Sequence, residues 1–478
     1  MIPFADYLRG LRRDDDLVAV DDSLRDGVPV DVLAAEALDA NGPALEFERA
    51  DGVDVASGVF SGPDQMHCRE SAPWSRLALG LGLDAEAPLV DLLDTVVGLG
   101  PTGSPDETTY TPQAASRTLE GLQALSFPRG VDDTWPVISL GVASVTTDAG
   151  THWAPIYGAV VSTDTLRVRV PEALASLTDD GETVTIALGV PPAAITAAYL
   201  LAVTDQIETP IRGTGVEGTV PLVPTNGGRV PSATEVVVEA TVADSQPDFR
   251  PDRREAWEHA VAGASLALEV TRVVATEDPV VPVSPVGRPM ADDLQLTGLT
   301  TAAHLHHRVN NYWGISPVEW LLLPPSTELG VCFVASDVLY AGFEWQLANI
   351  LFSFSSLFDT VVIVDDDVPP WDFGRVLSDI WVKAHPSRDW LFSEPDAPAA
   401  KRPNYRQDGT TGAQLYVDAT WDPRWDDSYL APQVTFEGSF PAPVRELARE
   451  FWSTRGLEPT DCEPIADDFD GEIGRAHV

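Results

Sequence analysis

The sequence predicts a mixed α/β and β, multidomain fold: an N-terminal α/β domain, a central β-barrel-like domain and a C-terminal α/β domain. Three observations predict it. Residues 2–115 alternate helical and strand patterns. Residues 135–285 are rich in β-branched residues, with turn residues at short spacing, as in a β-rich domain or barrel. Residues 290–455 return to buried apolar strands, each followed by an amphipathic helix, as in a layered sheet.

Each element has a local reason. FADYLRGLRR has amphipathic helical spacing, DLVAVDD reads as a strand, and VPVDVLAAEALDAN reads as a helix ending near Asn41-Gly42. PALEFERA and VDVASGVFSG read as strands. GLGPTGSPDETTYTPQ, rich in Gly, Pro and Thr, marks a boundary. WPVISLGVASVTTD, APIYGAVVSTDTLRVRV, TVTIALGV, EVVVEATVA and LALEVTRVVAT read as barrel strands, with PPAAITAAYLLAV and REAWEHAVAGA as helical interruptions. TAAHLHHRVNNYWG is read as an exposed histidine-bearing helix. VEWLLLPP, ELGVCFVAS and DTVVIV read as strands, and GFEWQLANILFSFSSLF and WDFGRVLSDIWVKA as helices. The expected domains are 1–115, 116–295 and 296–457, followed by an acidic tail over 458–478.

Charge sets the surroundings. Asp and Glu number 74 against 30 Lys plus Arg, a formal net of −44, and Lys383 and Lys401 are the only lysines. An acidic, lysine-poor surface suits a protein of a salt-loving cytoplasm, where concentrated salt screens self-repulsion. No basic stripe is available for phosphates, so nucleic-acid binding is excluded. Cys68, Cys332 and Cys462 are few and scattered, unlike a disulfide framework, and Cys332 in GVCFVAS reads as a core residue. The opening MIPFADYLRGLRRDDD has no apolar signal-peptide region, and no apolar run reaches about 20 residues. The expectation is a cytoplasmic protein with no membrane partner.

Five segments, in order, resemble the UbiD family of non-oxidative decarboxylases: DTWPVISLGVASVTTDAGTHWAPIYGAVV (133–161), IRGTGVEGTVPLVPTNGGRVPSATEVVVEA (211–240), DPVVPVSPVGRPMADD (278–293), VVIVDDDVPPWDFGRVLSDIWVKAHPSRD (361–389) and YVDATWDPRW (416–425). The resemblance implies a flavin-binding-type central barrel and an oligomerisation-type C-terminal α/β domain. It implies reversible loss of CO₂ from an aromatic or α,β-unsaturated acid, with prenylated FMN as cofactor and manganese and potassium seating its phosphate. It also implies a homo-oligomer, or a hetero-oligomer with a complete UbiD-type paralogue, and a flavin prenyltransferase as supplier if the cofactor is used.

The family's site residues carry over only in part. Tyr157 matches the family tyrosine, but its catalytic arginine position is Gly158 and its metal-binding asparagine position is Trp153. A one-residue shift brings His152 to the metal position. The histidine expected downstream is Arg169. The expected glutamate falls on Thr204, with Asp205 beside it. Where the family has its acid pair, PDRREAW offers Asp252 but Trp257, with Glu255 and Glu258 nearby. Asp337 stands where a lysine holds the flavin phosphate, which reverses the sign of the charge. Ser139, Ile156, Tyr157 and Tyr340 remain as the cofactor-pocket positions. His304 and His307 share a helix face without a recognisable further ligand. Asp365 to Asp367 either hold a cation at the end of the sheet or, as favoured here, belong to the framework, with Asp367 or the residues after it capping the next helix. The expectation is a UbiD-like chain of the carboxy-lyase class with most catalytic and cofactor residues replaced. The alternative is a non-catalytic UbiD paralogue acting as partner subunit or scaffold, and a third reading is a small-ligand binder that uses the pocket without flavin.

Overall fold

The computed structural model describes residues 1–21, 28–40, 42–48, 53–62, 73–99, 117–125, 127, 136–148, 150–204, 212–213, 218–219, 222–225, 228–245, 263–284, 292–393, 397–398, 411–421 and 436–455. In α1 (Phe4–Arg13) the apolar residues Phe4, Tyr7, Leu8 and Leu11 recur at helical spacing, and all four are buried. β1 (Leu17–Asp21) is followed by α2 (Val30–Asp39) and then β2 (Ala44–Glu48), which pairs parallel to β1. β3 (Asp54–Ser57) runs antiparallel to β2. α3 (Ser75–Gly80) and α4 (Leu89–Gly98) complete this region. Arg76 on α3 is buried, pairs with Asp16 at 2.7 Å and donates to the carbonyls of Gly42, Gly58 and Ser61.

The β-branched middle of the chain closes on itself. After the short β4 (Arg117–Leu119) come β5 (Val137–Thr147), β6 (Gly150–Val160), β7 (Thr165–Val170) and β8 (Thr183–Leu188). α5 (Pro192–Val203) intervenes before β9 (Val236–Asp244) and β10 (Ala264–Ala275). Because β9 pairs with both β8 and β10, the order β9–β8–β5–β6–β7–β10 closes into a six-stranded antiparallel barrel, and β4 adds to β10. APIYGAVVSTDTLRVRV, read above as one strand run, is two strands. Ser162 and Asp164 make a turn in which Ser162 Oγ donates to Asp164 Oδ1 at 2.6 Å. The segment containing REAWEHAVA lies outside the described residues.

β11 (Val280–Val283) then leaves the barrel and pairs parallel to β3 in the N-terminal sheet. α6 (Asp292–Trp313), 22 residues and about 33 Å long, runs between α4, α5 and the C-terminal sheet. A β-carbon at Gly298 would lie 2.5 Å from the carbonyl oxygen of Leu323, so only glycine allows α6 so close. The sheet holds β12 (Val318–Leu322), β13 (Val331–Ser336), β14 (Thr360–Val364), β15 (Trp390–Phe392) and β16 (Leu415–Ala419) in the order β12–β13–β14–β16–β15. α7 (Phe343–Phe354) joins β13 to the parallel β14, and α8 (Phe373–Lys383) follows β14. Past β16 stand α9 (Phe436–Ser439) and α10 (Ala442–Thr454).

One expectation changes here and another is made specific. The histidine-bearing helix is not simply exposed: His306 is buried and its Nε2 lies 3.1 Å from the Val318 carbonyl, while His307 remains on the surface. α6 is covered on several sides, so its faces are not equivalent. At the aspartate turn, Asp372 caps α8 by accepting from the Arg375 N–H at 2.8 Å, whereas Asp365 and Asp367 pair with Lys383 and Arg375. Cys332 is fully buried, as expected. Among the described residues no helix is long and apolar enough to cross a membrane.

One apolar core fills the barrel, and another joins the N-terminal helices, the barrel's outer face, α6 and the C-terminal sheet. Ile156 and Val168 belong to the first, Leu140, Val142 and Trp153 to the second. The barrel wall therefore has two buried faces.

Candidate functional site

THWAPIYGAV is a wall strand, buried along its length. Successive side chains on a strand point to opposite faces. Ala154, Ile156 and Val160 therefore fill the barrel, while Trp153 packs outside it. Gly158 shares the inner face: a β-carbon there would lie 3.0 Å from Val168 Cγ1. Tyr157, between Ile156 and Gly158, takes the outer face and is buried.

Opposite Tyr157 the ladder slips. Ile138 pairs with Gly158 and Gly141 with Ile156, so Ser139 and Leu140 together face Tyr157 in a β-bulge. On its other side Tyr157 faces Arg169 of β7. Ser139 Oγ accepts the backbone N–H of Ser284 at 2.7 Å, and Ser284 Oγ donates to Asp293 Oδ1 at 2.7 Å. Burial pushes the Asp293 carboxyl up to about 6. Burial, with the charges of Asp293 and Asp292 adding to it, raises the nearby Tyr199 phenol on α5. Asp292 accepts the N–H groups of Gly58, Phe60 and Ser61 at 2.9, 2.7 and 2.8 Å and the Ser61 hydroxyl at 2.9 Å. A polar seam thus runs from the bulge to the first turn of α6. The adjacent aspartates opening that helix were the visible trace of it in the sequence.

The remaining predicted positions are dispersed. His152 is buried, and its Nε2 lies 2.9 Å from Thr147 Oγ1 across the hairpin. Trp153 is fully buried opposite Ser144, and its indole N–H has no partner among the described residues. Thr204 ends α5 with its hydroxyl donating to the Leu200 carbonyl at 3.0 Å. Tyr340 is 47% exposed beyond the end of β13; it hydrogen-bonds Gln346 and sets its ring edge-on to Phe343 at 5.4 Å. Asp337 is exposed, with its N–H on the Pro317 carbonyl at 2.8 Å. Asp205, Asp252 and Glu255 lie outside the described residues, as do Trp257 and Glu258. The structure brings Ser139 and Tyr157 together, puts Ile156 on the opposite side of the wall, and places Tyr340 in the C-terminal region.

A second buried polar group lies at the carboxyl ends of β14 and β16. Lys383 Nζ meets Asp379 at 2.7 Å and also Asp365, and stands 5.0 Å from the centre of the Trp421 ring. Asp365 accepts the Trp421 N–H at 3.1 Å. Burial raises Asp418 to about 6 although Thr420 donates to it. Among the described residues no group of three or more His, Cys, Asp or Glu side chains is arranged to hold a metal ion.

Comparison with known proteins agrees with this architecture. Residues 295–419 match the family described as the 3-octaprenyl-4-hydroxybenzoate carboxy-lyase C-terminal domain, UbiD_C. No curated protein sequence matches the chain. Among solved structures, the open form of Sedimentibacter hydroxybenzoicus vanillic acid decarboxylase (ShVdcCD) is similar with a TM-score of 0.70 and 17% identity, covering 95% of this chain and 99% of that one. The apo Klebsiella pneumoniae 3,4-dihydroxybenzoic acid decarboxylase (AroY) gives 0.69 and 17%, covering 95% and 100%. The UbiD-class enzyme HmfF from Pelotomaculum thermopropionicum, in complex with FMN, gives 0.67 and 17%, covering 90% and 97%. Residues 295–419 thus carry a domain of the UbiD C-terminal family, and the chain shares the fold of UbiD-class decarboxylases.

Proposed function

We propose that this chain is a UbiD-fold protein that does not carry out the standard prenylated-FMN decarboxylation by itself, and that it serves as a partner subunit or scaffold for a complete UbiD-type enzyme in a salt-rich cytoplasm. The observation that carries this reading is the place of Gly158. By the sequence resemblance it stands at the family's arginine position; it faces the packed barrel interior and leaves only 3.0 Å between a β-carbon and Val168. Glycine supplies no guanidinium for a substrate carboxylate, and the space beside it is taken.

Three further positions support the reading. Trp153, at the metal-ligand position, offers no oxygen to a hard cation and is committed to the outer core. His152 is engaged by Thr147. Asp337, at the phosphate position, adds an anion where a cation is needed. In this reading the residues present do not fit prenylated FMN with its manganese and potassium, and no chemical step is assigned to that group.

The alternative is a carboxy-lyase acting on an aromatic or α,β-unsaturated acid. It is favoured by the neighbours, which include vanillic and 3,4-dihydroxybenzoic acid decarboxylases. One experiment separates the two. The full chain is produced with a flavin prenyltransferase in high salt, and its absorbance spectrum and native mass are recorded. A colourless protein of apo mass is expected. Flavin absorbance with one cofactor mass per chain overturns the proposal and favours the decarboxylase.

A further inference from the structure

Ser284 stands where the chain leaves β11 for α6, and it holds two parts of the molecule at once. Its N–H donates to Ser139 Oγ in the bulge of the barrel wall, and its hydroxyl donates to Asp293 Oδ1 in the first turn of α6, both at 2.7 Å. This relay sets the barrel wall against α6 at the point where Tyr157 faces the bulge.

The relay ends on a carboxyl group that is poorly equipped to be an ion. Asp292 and Asp293 are chain neighbours and both are buried. Asp292 takes the N–H groups of Gly58, Phe60 and Ser61 and the Ser61 hydroxyl, and the charge of Arg76 favours its ionised form. Asp293 has the Ser284 hydroxyl and N–H groups of its own turn, and among the described residues it forms no ion pair. Two adjacent buried carboxyls do not both ionise cheaply, and the better supported of them takes the charge. The other titratable groups that face the pair are Tyr7 on α1, Arg76 on α3 and Tyr199 on α5. Arg76 is taken up by Asp16, and burial raises both phenols, so they stay neutral. Asp292 is thus the anion of the pair and Asp293 the proton holder. An ionised Asp293 needs water, which reaches it when the relay parts.

We propose that Asp293 is a proton-operated catch between the barrel wall and α6: with its proton on, the Ser139–Ser284–Asp293 relay is shut, and with the proton lost the relay opens locally and frees the bulge opposite Tyr157. The shut form holds the proton more tightly, with the carboxyl at about 6 against 3.8 for a hydrated group. Closure is therefore fullest below about pH 4 and is lost as pH rises through about 6, with a change of about a hundredfold in the ratio of shut to open forms. The proposal stands independently of whether the chain binds flavin.

The test is hydrogen exchange at the Ser284 amide of the full chain in molar potassium chloride, followed against pH and against urea and corrected for chemical exchange. β14, paired on both sides by β13 and β16, supplies the comparison for opening of the whole fold. Protection of Ser284 is expected to lie below that of β14 and to respond little to urea, because a local opening exposes little surface. It is expected to fall by up to about a hundredfold as pH rises from about 4 to about 7. In Asp293→Asn, which keeps the shape and does not ionise, protection should stay high and flat. In Ser284→Ala the amide remains but the hydroxyl link is cut, so protection should lose its pH dependence. Protection that is flat with pH in the native chain, that falls equally in either variant, or that follows urea as β14 does overturns the proposal.

Discussion

Lys383 Nζ and Asp379 Oδ2 meet at 2.7 Å one turn apart on α8, with both side chains wholly buried. Asp365 completes the group from the end of β14. Removing one partner of a buried ion pair strands the other charge, which costs about 3–5 kcal/mol. Lys383→Ala is therefore expected to lower unfolding stability by about that much, read from denaturant titrations at fixed salt. A loss below about 1 kcal/mol would show that the aspartates take up protons or water without penalty.

Stability is expected to depend on pH through Asp293. Its carboxyl is raised from 3.8 to about 6 in the folded chain, chiefly by burial, with the charge of Asp292 adding to it. The folded state then holds its proton more tightly than the unfolded state does. Stability is fullest below the unfolded value and falls as pH rises from near 4 through about 6, by an amount on the order of 2–3 kcal/mol. Asp293→Asn keeps the shape and removes the titration. Melting curves across this range should lose part of their slope in the variant; identical slopes would assign the pH dependence to other groups.

Gly158→Arg is expected to damage the barrel without creating a site. Its β-carbon would press on Val168 at 3.0 Å, and its charge would enter an apolar interior. Overpacking alone costs about 1–3 kcal/mol. The denaturation midpoint should fall, and co-expression with a flavin prenyltransferase should add no flavin absorbance. A stable variant that gains flavin would show a cavity beside Gly158 and revive the decarboxylase reading.

Salt should be needed for stability. With a net charge of −44, self-repulsion reaches about 10 Å at 0.1 M salt and about 3 Å at 1 M. The melting temperature is expected to climb steadily as potassium chloride rises into the molar range. A flat profile would remove the argument for a salt-rich setting.

Much of the fold was legible in local pattern. α1 followed from four apolar residues at helical spacing, and α8 from its stripe and the aspartates before it. The Ser162–Asp164 turn is written in its own residues, but apolar residues on both sides make the segment read as one continuous strand. Of the seam of Ser139, Ser284 and Asp293 only the paired aspartates opening α6 are legible in the sequence, since its single hydrogen bonds join positions 145 and 9 residues apart. His306 misled for a similar reason: helical spacing gives a residue's face, and only the neighbouring elements decide whether that face meets water.

By itself the sequence determined the class of each segment, the acidic surface and the family resemblance, because propensity, alternation and charge are local quantities. Only the tertiary structure decided that β9 closes the barrel against β10, that Ile156 and Tyr157 part to opposite faces of one wall, and that Gly158 looks into a packed interior. Closure and burial are relations between distant segments. They arise when two elements compete for the same apolar surface, and no window along the chain contains both.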